Sequence, residues 1–261
     1  MELRRAALTA LCIADPAAKA AAARQLLVQP LALDAAAALN ACEAALPGRP
    51  PRPLLVPVQQ VPRRSPHVTA GRAALLHAVA HIEFNAINLA LDAIWRFADM
   101  PEAYYRDWTQ VAAEEALHFG LLTDHLASLG HAYGDFPAHD GLWAMTAATA
   151  GDIIARMALV PRTLEARGLD ATPPMQARLR KAGDLRAVAI LDVILYDEIG
   201  HVAIGNRWYR WLCQREGLDP LAHYAVLAQR HGAPRPRPPF NEAARLEAGF
   251  TTAEVAALQA D

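Results

Sequence analysis

Two strings of the form Glu-x-x-His, Glu115-Ala116-Leu117-His118 and Glu198-Ile199-Gly200-His201, each follow a lone glutamate at nearly the same distance. The stretch from Glu165 to Glu198 is only one position longer than the stretch from Glu83 to Glu115. Residues three apart on a helix stand about 60° apart around its axis, so Glu115 shares a face with His118 and Glu198 with His201. A carboxylate and an imidazole on one face form a chelating pair. One such string is weak by itself. Its repetition with a matched upstream glutamate is the pattern of a two-metal carboxylate centre in a four-helix bundle, where two helices each supply a Glu and two others each a Glu-x-x-His, all pointing inward. By analogy with such bundles, Glu115 and Glu198 bridge the metals, Glu83 and Glu165 are terminal ligands, and His118 and His201 each bind one metal.

The surroundings of these residues are apolar. One helical turn from Glu83 stand Val79, Ala80, Ala86 and Ile87; from Glu115, Val111, Ala112 and Phe119; from Glu198, Ile194, Leu195 and Val202. A carboxylate buried without a partner is costly or takes up a proton, so four on core faces call for a shared cation. Carboxylates with imidazoles and no thiolate suit iron or manganese, so two Fe ions are expected, with manganese as the alternative and zinc also compatible. Metal-bound histidines usually donate their other N–H to a carboxylate, which makes Asp197 and Glu114, each directly preceding a chelating pair, candidate partners. The competing reading for both is ordinary surface charge.

Helices must bring these residues level. Ala98-Asp99-Met100-Pro101 lies midway between Glu83 and Glu115 and reads as a turn with Pro at a helix start. Bundle helices are expected at about 70–98, 101–129, 142–166 and 184–214. Thr172-Pro173-Pro174 breaks the pattern after Glu165, so the third helix is expected to end near Ala166 and a short extra helix to cover about 173–182. Gly183-Asp184 reads as a helix stop and a new N-cap. Pro161, four residues before Glu165, removes a backbone donor and should kink the third helix. Residues 130–141 form the crossover between the second and third helices.

The fold class is therefore all-α, and 54% hydrophobic with 20% charged residues supplies a large core. The expected divisions are a helical hairpin over 1–46 broken at Gln29-Pro30, a Pro-rich connector over 47–69, the four-helix bundle over 70–214 and a C-terminal extension over 215–261. A net charge of −2 gives no general attraction to nucleic acid or anionic lipid. The basic runs Arg178-Leu179-Arg180-Lys181 and Arg63-Arg64 read as solvated surface. Cys12, Cys42 and Cys213 form no Cys-x-x-Cys and leave an odd number, which points away from a disulfide framework and toward the cytoplasm. No uninterrupted apolar run reaches the roughly 18 residues of a membrane span.

At its ligand-type residues the chain resembles the ferritin-like di-iron carboxylate superfamily, whose soluble oxygenases carry the Asp-Glu-x-x-His string found here at Asp197 to His201. It is more closely similar to an uncharacterised bacterial ferritin-like family known only as a domain of unknown function. That resemblance rests on the runs His77 to Glu83, Glu114 to Phe119, Tyr133 to Trp143, Glu165 to Asp170, Asp197 to Val202 and Pro239-Phe240-Asn241. The chain also resembles, more distantly, a tRNA-modifying di-iron hydroxylase family. The resemblance implies a ferritin-like bundle and an O₂-dependent hydroxylase or oxidase, with O₂, an unidentified substrate and an electron donor as its partners. An iron-binding ferroxidase or storage protein, a di-manganese peroxide-disproportionating enzyme and a scaffold with a vestigial site are the other readings.

Several further residues invite chemistry. His77 and His81 share a face, but Glu83 lies about 160° around from His81, so packing or hydrogen bonding is the expected role. His139 is placed to line an entrance. No Tyr stands one helical turn from a ligand, and Tyr196 is about 200° from Glu198, which gives no support to a ligand-adjacent tyrosyl radical. Trp208, Tyr209 and Trp211 read as packing at the end of the fourth helix.

Overall fold

The computed structural model describes residues 2–40, 45–61 and 65–259; Cys42 and the Arg63-Arg64 run lie outside the described residues. It is all-helical, and among the described residues the only β pairings are two isolated bridges. The chain separates into two compact units, Met1–Trp143 with Lys181–Ile190, and Ala144–Arg180 with Leu191–Asp261.

The first unit is organised by two long helices, α3 (Thr69–Arg96) and α4 (Glu102–Ser128), joined by the expected turn. Asp99 takes a left-handed φ of 56°, and Tyr105 Oη ties the turn down by accepting from Met100 N and donating to Phe97 O. At the far end Gly130, at φ 77°, stops α4. Asp184 opens α8 (Leu185–Arg215) as expected, accepting from Ala187 N while its carboxylate also meets His125 Nε2 at 2.9 Å. α3 is long and apolar enough to cross a membrane by length and composition, but 78% of its apolar window is buried inside the protein, the position of a core helix.

The hairpin over the N-terminal region differs in its break. α1 (Leu3–Leu11) and α2 (Pro16–Val28) are its arms, and the turn falls at residues 12–15, where Asp15 accepts from Ala18 N and Pro16 occupies the first turn. No helix follows Gln29-Pro30 in residues 30–40. Arg4 explains why that stretch can stay irregular: its buried guanidinium donates to Asp34 O, Ala35 O and Ala37 O, and to Trp95 O near the end of α3. α1 packs on α3 and α2 on α4. Gly48 holds the connector against α1, since its N donates to Leu11 O and any Cβ there would lie 2.2 Å from Cys12 O. The connector is pinned again where Leu55 bridges Ala138 of the crossover.

In the second unit the expected single helix over 142–166 is interrupted. α5 (Gly141–Ala148) stops, and α6 (Ile153–Leu159) restarts at Asp152, whose side chain accepts from Ala155 N. Buried Arg156 fixes the break by donating to Thr146 O and Thr149 Oγ1. A π-helical turn, Val160–Glu165, then runs directly into α7 (Ala166–Lys181). The expected stop at Ala166 and separate helix from 173 are therefore corrected, because α7 contains Pro173 and Pro174. Proline's missing N–H would leave the carbonyl four residues back unsatisfied, and Asn241 Nδ2 takes that place at Leu169 O. The exposed Arg178, Arg180 and Lys181 flank buried Leu179 on α7, as a solvated helix face does.

The C-terminal extension supplies α9 (Pro220–Arg230), α10 (Glu242–Glu247) and α11 (Thr252–Gln259). Ala244, Ala248, Phe250 and Val255 share a core with Ala166 and Leu169 of α7 and Val202 of α8. Trp208 and Tyr209 are buried, which matches their packing role.

Lys19 of α2 is fully buried beside α3. Its Nζ donates to Gly48 O at 2.7 Å and to Asn88 Oδ1, and it lies 4.9 Å over the Phe84 ring. Burial, aided by Arg49, lowers its pKa from 10.5 to about 7, while Cys12 acts in the opposite direction. Between those two values the unfolded chain binds the proton that the folded chain has released, so stability rises with pH across that window. Urea unfolding of wild type and Lys19→Met should show this as a difference that grows in favour of wild type from about pH 7 to pH 10; a pH-independent difference would contradict the assignment.

Candidate metal centre

Glu83 and Glu115 meet because the α3–α4 turn is symmetric about them. Glu83 stands as far before Arg96, the end of α3, as Glu115 stands after Glu102, the start of α4. Both are therefore about 20 Å from the turn. His118 Nδ1 completes the group, 3.2 Å from Glu83 Oε2 and 3.3 Å from Glu115 Oε2. All three side chains are buried. Val79, Ala80, Ala86, Ile87, Val111, Ala112 and Phe119 around them are buried as well, which keeps water away.

Burial first, and then the neighbouring Glu115 carboxylate, pushes the Glu83 carboxyl well above the usual range, while His118 pulls the other way. Two carboxylates this close in an apolar site cannot both stay charged without a cation. Donor atoms about 2.1 Å from one ion, as carboxylate oxygen and imidazole nitrogen sit on divalent metals, would be spaced much as these are. One ligand atom from each of the three residues lies within 4.8 Å of the others, so this buried group could hold a metal ion. Donor type, spacing and charge all fit one.

The second unit carries Glu165, Glu198 and His201, all buried. Glu198 lies near the middle of α8, and His201 Nδ1 is 3.8 Å from its Oε1, on one face but beyond hydrogen-bond range. Glu165 ends the π-helical turn. Pro161 does more than kink this helix: in place of a regular α turn the chain takes the wider π register. Its ring packs where a Cβ on Gly205 of α8 would come, 2.5 Å from Pro161 Cβ. Asp197 and Glu114 are half-buried, and Glu114 accepts from Gln110 Nε2 at 2.9 Å.

The crossover supplies contacts that helical spacing alone could not reveal. Tyr133 stacks on His77 and His81 and packs against Phe84 and Phe119, the neighbours in sequence of Glu83 and His118. Its hydroxyl lies 2.8 Å from His81 Nδ1, and Gly134 N donates to His77 Nε2 at 2.9 Å. Both histidines are thus packing and hydrogen-bonding residues, as expected. Burial lowers the pKa of His77 to about 4 and that of His81 to about 3, so both rings are neutral at pH 7. His139 turns to its own backbone, with Gly141 N donating to its Nδ1.

With no ion bound, Glu115→Gln removes one of two repelling carboxylates and keeps the shape of the other. Metal-free Glu115→Gln should therefore melt a few degrees above metal-free wild type and gain less from added Fe(II) or Mn(II). Equal metal stabilisation of both in a calorimetric scan would show that Glu115 is no ligand. Gly205→Ala should destabilise by about 1–3 kcal/mol through its clash with Pro161, read from denaturant midpoints; an unchanged midpoint would mean the π turn yields freely.

The family described as "Protein of unknown function (DUF455)" matches residues 12–256. An uncharacterized protein of Haemophilus influenzae is 52% identical over 213 residues, covering 79% of this chain and 74% of its own length. No solved structure matches the chain.

Proposed function

The chain belongs to the DUF455 family, and we propose that it is a di-metal carboxylate oxidoreductase, holding two iron ions and acting as an O₂-dependent hydroxylase or oxidase. The observation that carries this reading is the buried Glu83, Glu115 and His118 group, with one imidazole nitrogen against two carboxylates. The matching set of Glu165, Glu198 and His201 supplies the second metal, since its residue types, spacing and burial repeat those of the first. In this reading residues 70–214 form a ferritin-like four-helix bundle from α3, α4, the run from α5 to α7, and α8.

A pair of redox-active ions supplies the electrons that O₂ chemistry needs, and an external electron donor restores them. The chain's own part is to hold and shield. Glu83, Glu115, Glu165 and Glu198 would hold and neutralise the ions, and His118 and His201 would add neutral donors. Asp197 and Glu114 orient the two imidazoles. The apolar shell around Glu83 and Glu115 excludes water, so oxidising equivalents reach the organic substrate rather than solvent. The odd number of cysteines, with no Cys-x-x-Cys pair, suits a cytoplasmic setting.

Metal analysis of anaerobically purified protein, followed by O₂-uptake and peroxide-turnover assays, tests the proposal. Two irons per chain, with O₂ uptake dependent on a reductant, is the expected result. Hundreds of irons retained per assembly would indicate storage, and manganese with peroxide turnover a disproportionating enzyme; either result rejects the hydroxylase. Unchanged metal content in both Glu115→Ala and His201→Ala would reject the site itself.

A further inference from the structure

The second unit holds a cavity of about 1120 Å³ that the metal-ligand pattern does not touch. Its lining includes Arg162 and Thr163 of the π turn, Tyr224 of α9, Phe250, and Arg235 and Arg237 of the Pro-rich stretch before α10. We propose that this cavity binds a small organic anion, a carboxylate or phosphate on a flat apolar body, with Arg235 and Arg237 gripping the charge.

Charge comes first. Four arginines line the cavity, Arg162, Arg235, Arg237 and Arg245, against two glutamates, Glu242 and Glu254. The two deep arginines are already held. Arg162 is buried, donates to Glu254 and Asn206, and lies 4.8 Å over Phe250. Arg245 is clamped by Asp170 through two hydrogen bonds of 3.0 and 2.5 Å and lies 5.2 Å from the same ring. Glu254 is committed as well, since Arg210 and Thr251 also donate to it. Arg235 and Arg237 make no hydrogen bond or ion pair among the described residues and are exposed. Beside Glu242, whose charge offsets one of them, the lining keeps a positive excess on Arg235 and Arg237, on a stretch where alternate prolines limit the backbone entropy lost on binding.

Shape and apolar surface select the rest of the ligand. Phe240, Phe250 and Tyr224 present flat rings beside the arginines, and the apolar lining continues through Leu221, Ala225 and Leu258. Arg162 Nε is buried with no hydrogen-bond partner among the described residues. A guanidinium pair in a cavity that aromatic side chains also line suits a planar anion better than a bare inorganic one. The volume suits a small molecule more than an extended polymer.

Thr163, whose Oγ1 lies 2.9 Å from Tyr224 Oη, stands two residues before Glu165 on the same π turn. If the ligand is the substrate of the proposed oxidoreductase, which rests on the metal reading above, that turn is the element common to its cavity and a metal ligand.

Calorimetric titration of the full chain with 1-naphthyl phosphate, 1-naphthylacetate and neutral 1-naphthol tests the site, in metal-loaded and in chelator-treated protein. Binding of at least one anion, with naphthol at least tenfold weaker and Arg235→Gln/Arg237→Gln weakening the anion at least tenfold, is expected in both preparations. The arm that binds more tightly tells phosphate from carboxylate. Equal affinity of the double variant, equal affinity of naphthol, or no binding of either anion overturns the proposal. Tighter binding of a single-stranded oligonucleotide that displaces naphthyl phosphate overturns it in favour of a nucleic-acid surface. Because the chelator-treated protein is expected to bind too, a failed metal reading leaves this result intact.

Discussion

Glu83 and Glu115 are two carboxylates in an apolar interior with one imidazole nitrogen between them. Helix packing alone has no use for that arrangement: moving either charge from water into such a site costs several kcal/mol, and the two repel. A cation turns the same geometry from a liability into a binding site. The surrounding features of the first unit serve this constraint. The turn at Asp99 sets the two helices in register, Tyr133 seals the flank through Phe84 and Phe119, and the hairpin of α1 and α2 covers what would otherwise be open helix face. Without bound metal the site weakens the fold that houses it, a familiar cost of function.

The second unit meets its constraint with charge as well, but by pairing within the protein. Arg162 and Glu254, and Arg245 and Asp170, are buried pairs with additional hydrogen bonds to Asn206, Thr251 and Arg210. Such pairs specify one arrangement more than they add stability. Here they lock α10 and α11 onto the π turn and α7. A π turn costs regular hydrogen bonds, and Pro161 pressed against Gly205 shows that this one is built into the packing of its unit.

Much of this could be read from residue order, and the exceptions share a cause. The Glu-x-x-His strings, the Asp99-Pro101 turn and the Asp184 cap are local signals, because periodicity and capping act within a few residues. α3, α4 and α8 accordingly begin and end within two residues of expectation. Pro173-Pro174 misled because its compensation, Asn241, lies far along the chain. The break between α5 and α6 depends on where buried Arg156 finds carbonyl and hydroxyl partners, and the irregular stretch after Pro30 depends on Arg4. Tyr133 stands in a run that carries the family resemblance, but its contacts with His77, His81, Phe84 and Phe119 are not legible from helical spacing because it lies in a loop. Nor does sequence periodicity reveal a cavity lined by α9, a Pro-rich stretch and the π turn. In each case a tertiary partner overrode or supplemented a correct local preference.

The central claim of the proposed function is that the chain binds a coupled pair of iron ions through its Glu and Glu-x-x-His residues. Mössbauer spectroscopy of protein loaded anaerobically with isotopically enriched iron and then oxidised tests it most directly. The account predicts a spin-coupled diferric pair with a diamagnetic ground state. Isolated high-spin ferric iron, in wild type and unchanged in His201→Ala, would contradict it and leave only a mononuclear site at Glu83, Glu115 and His118.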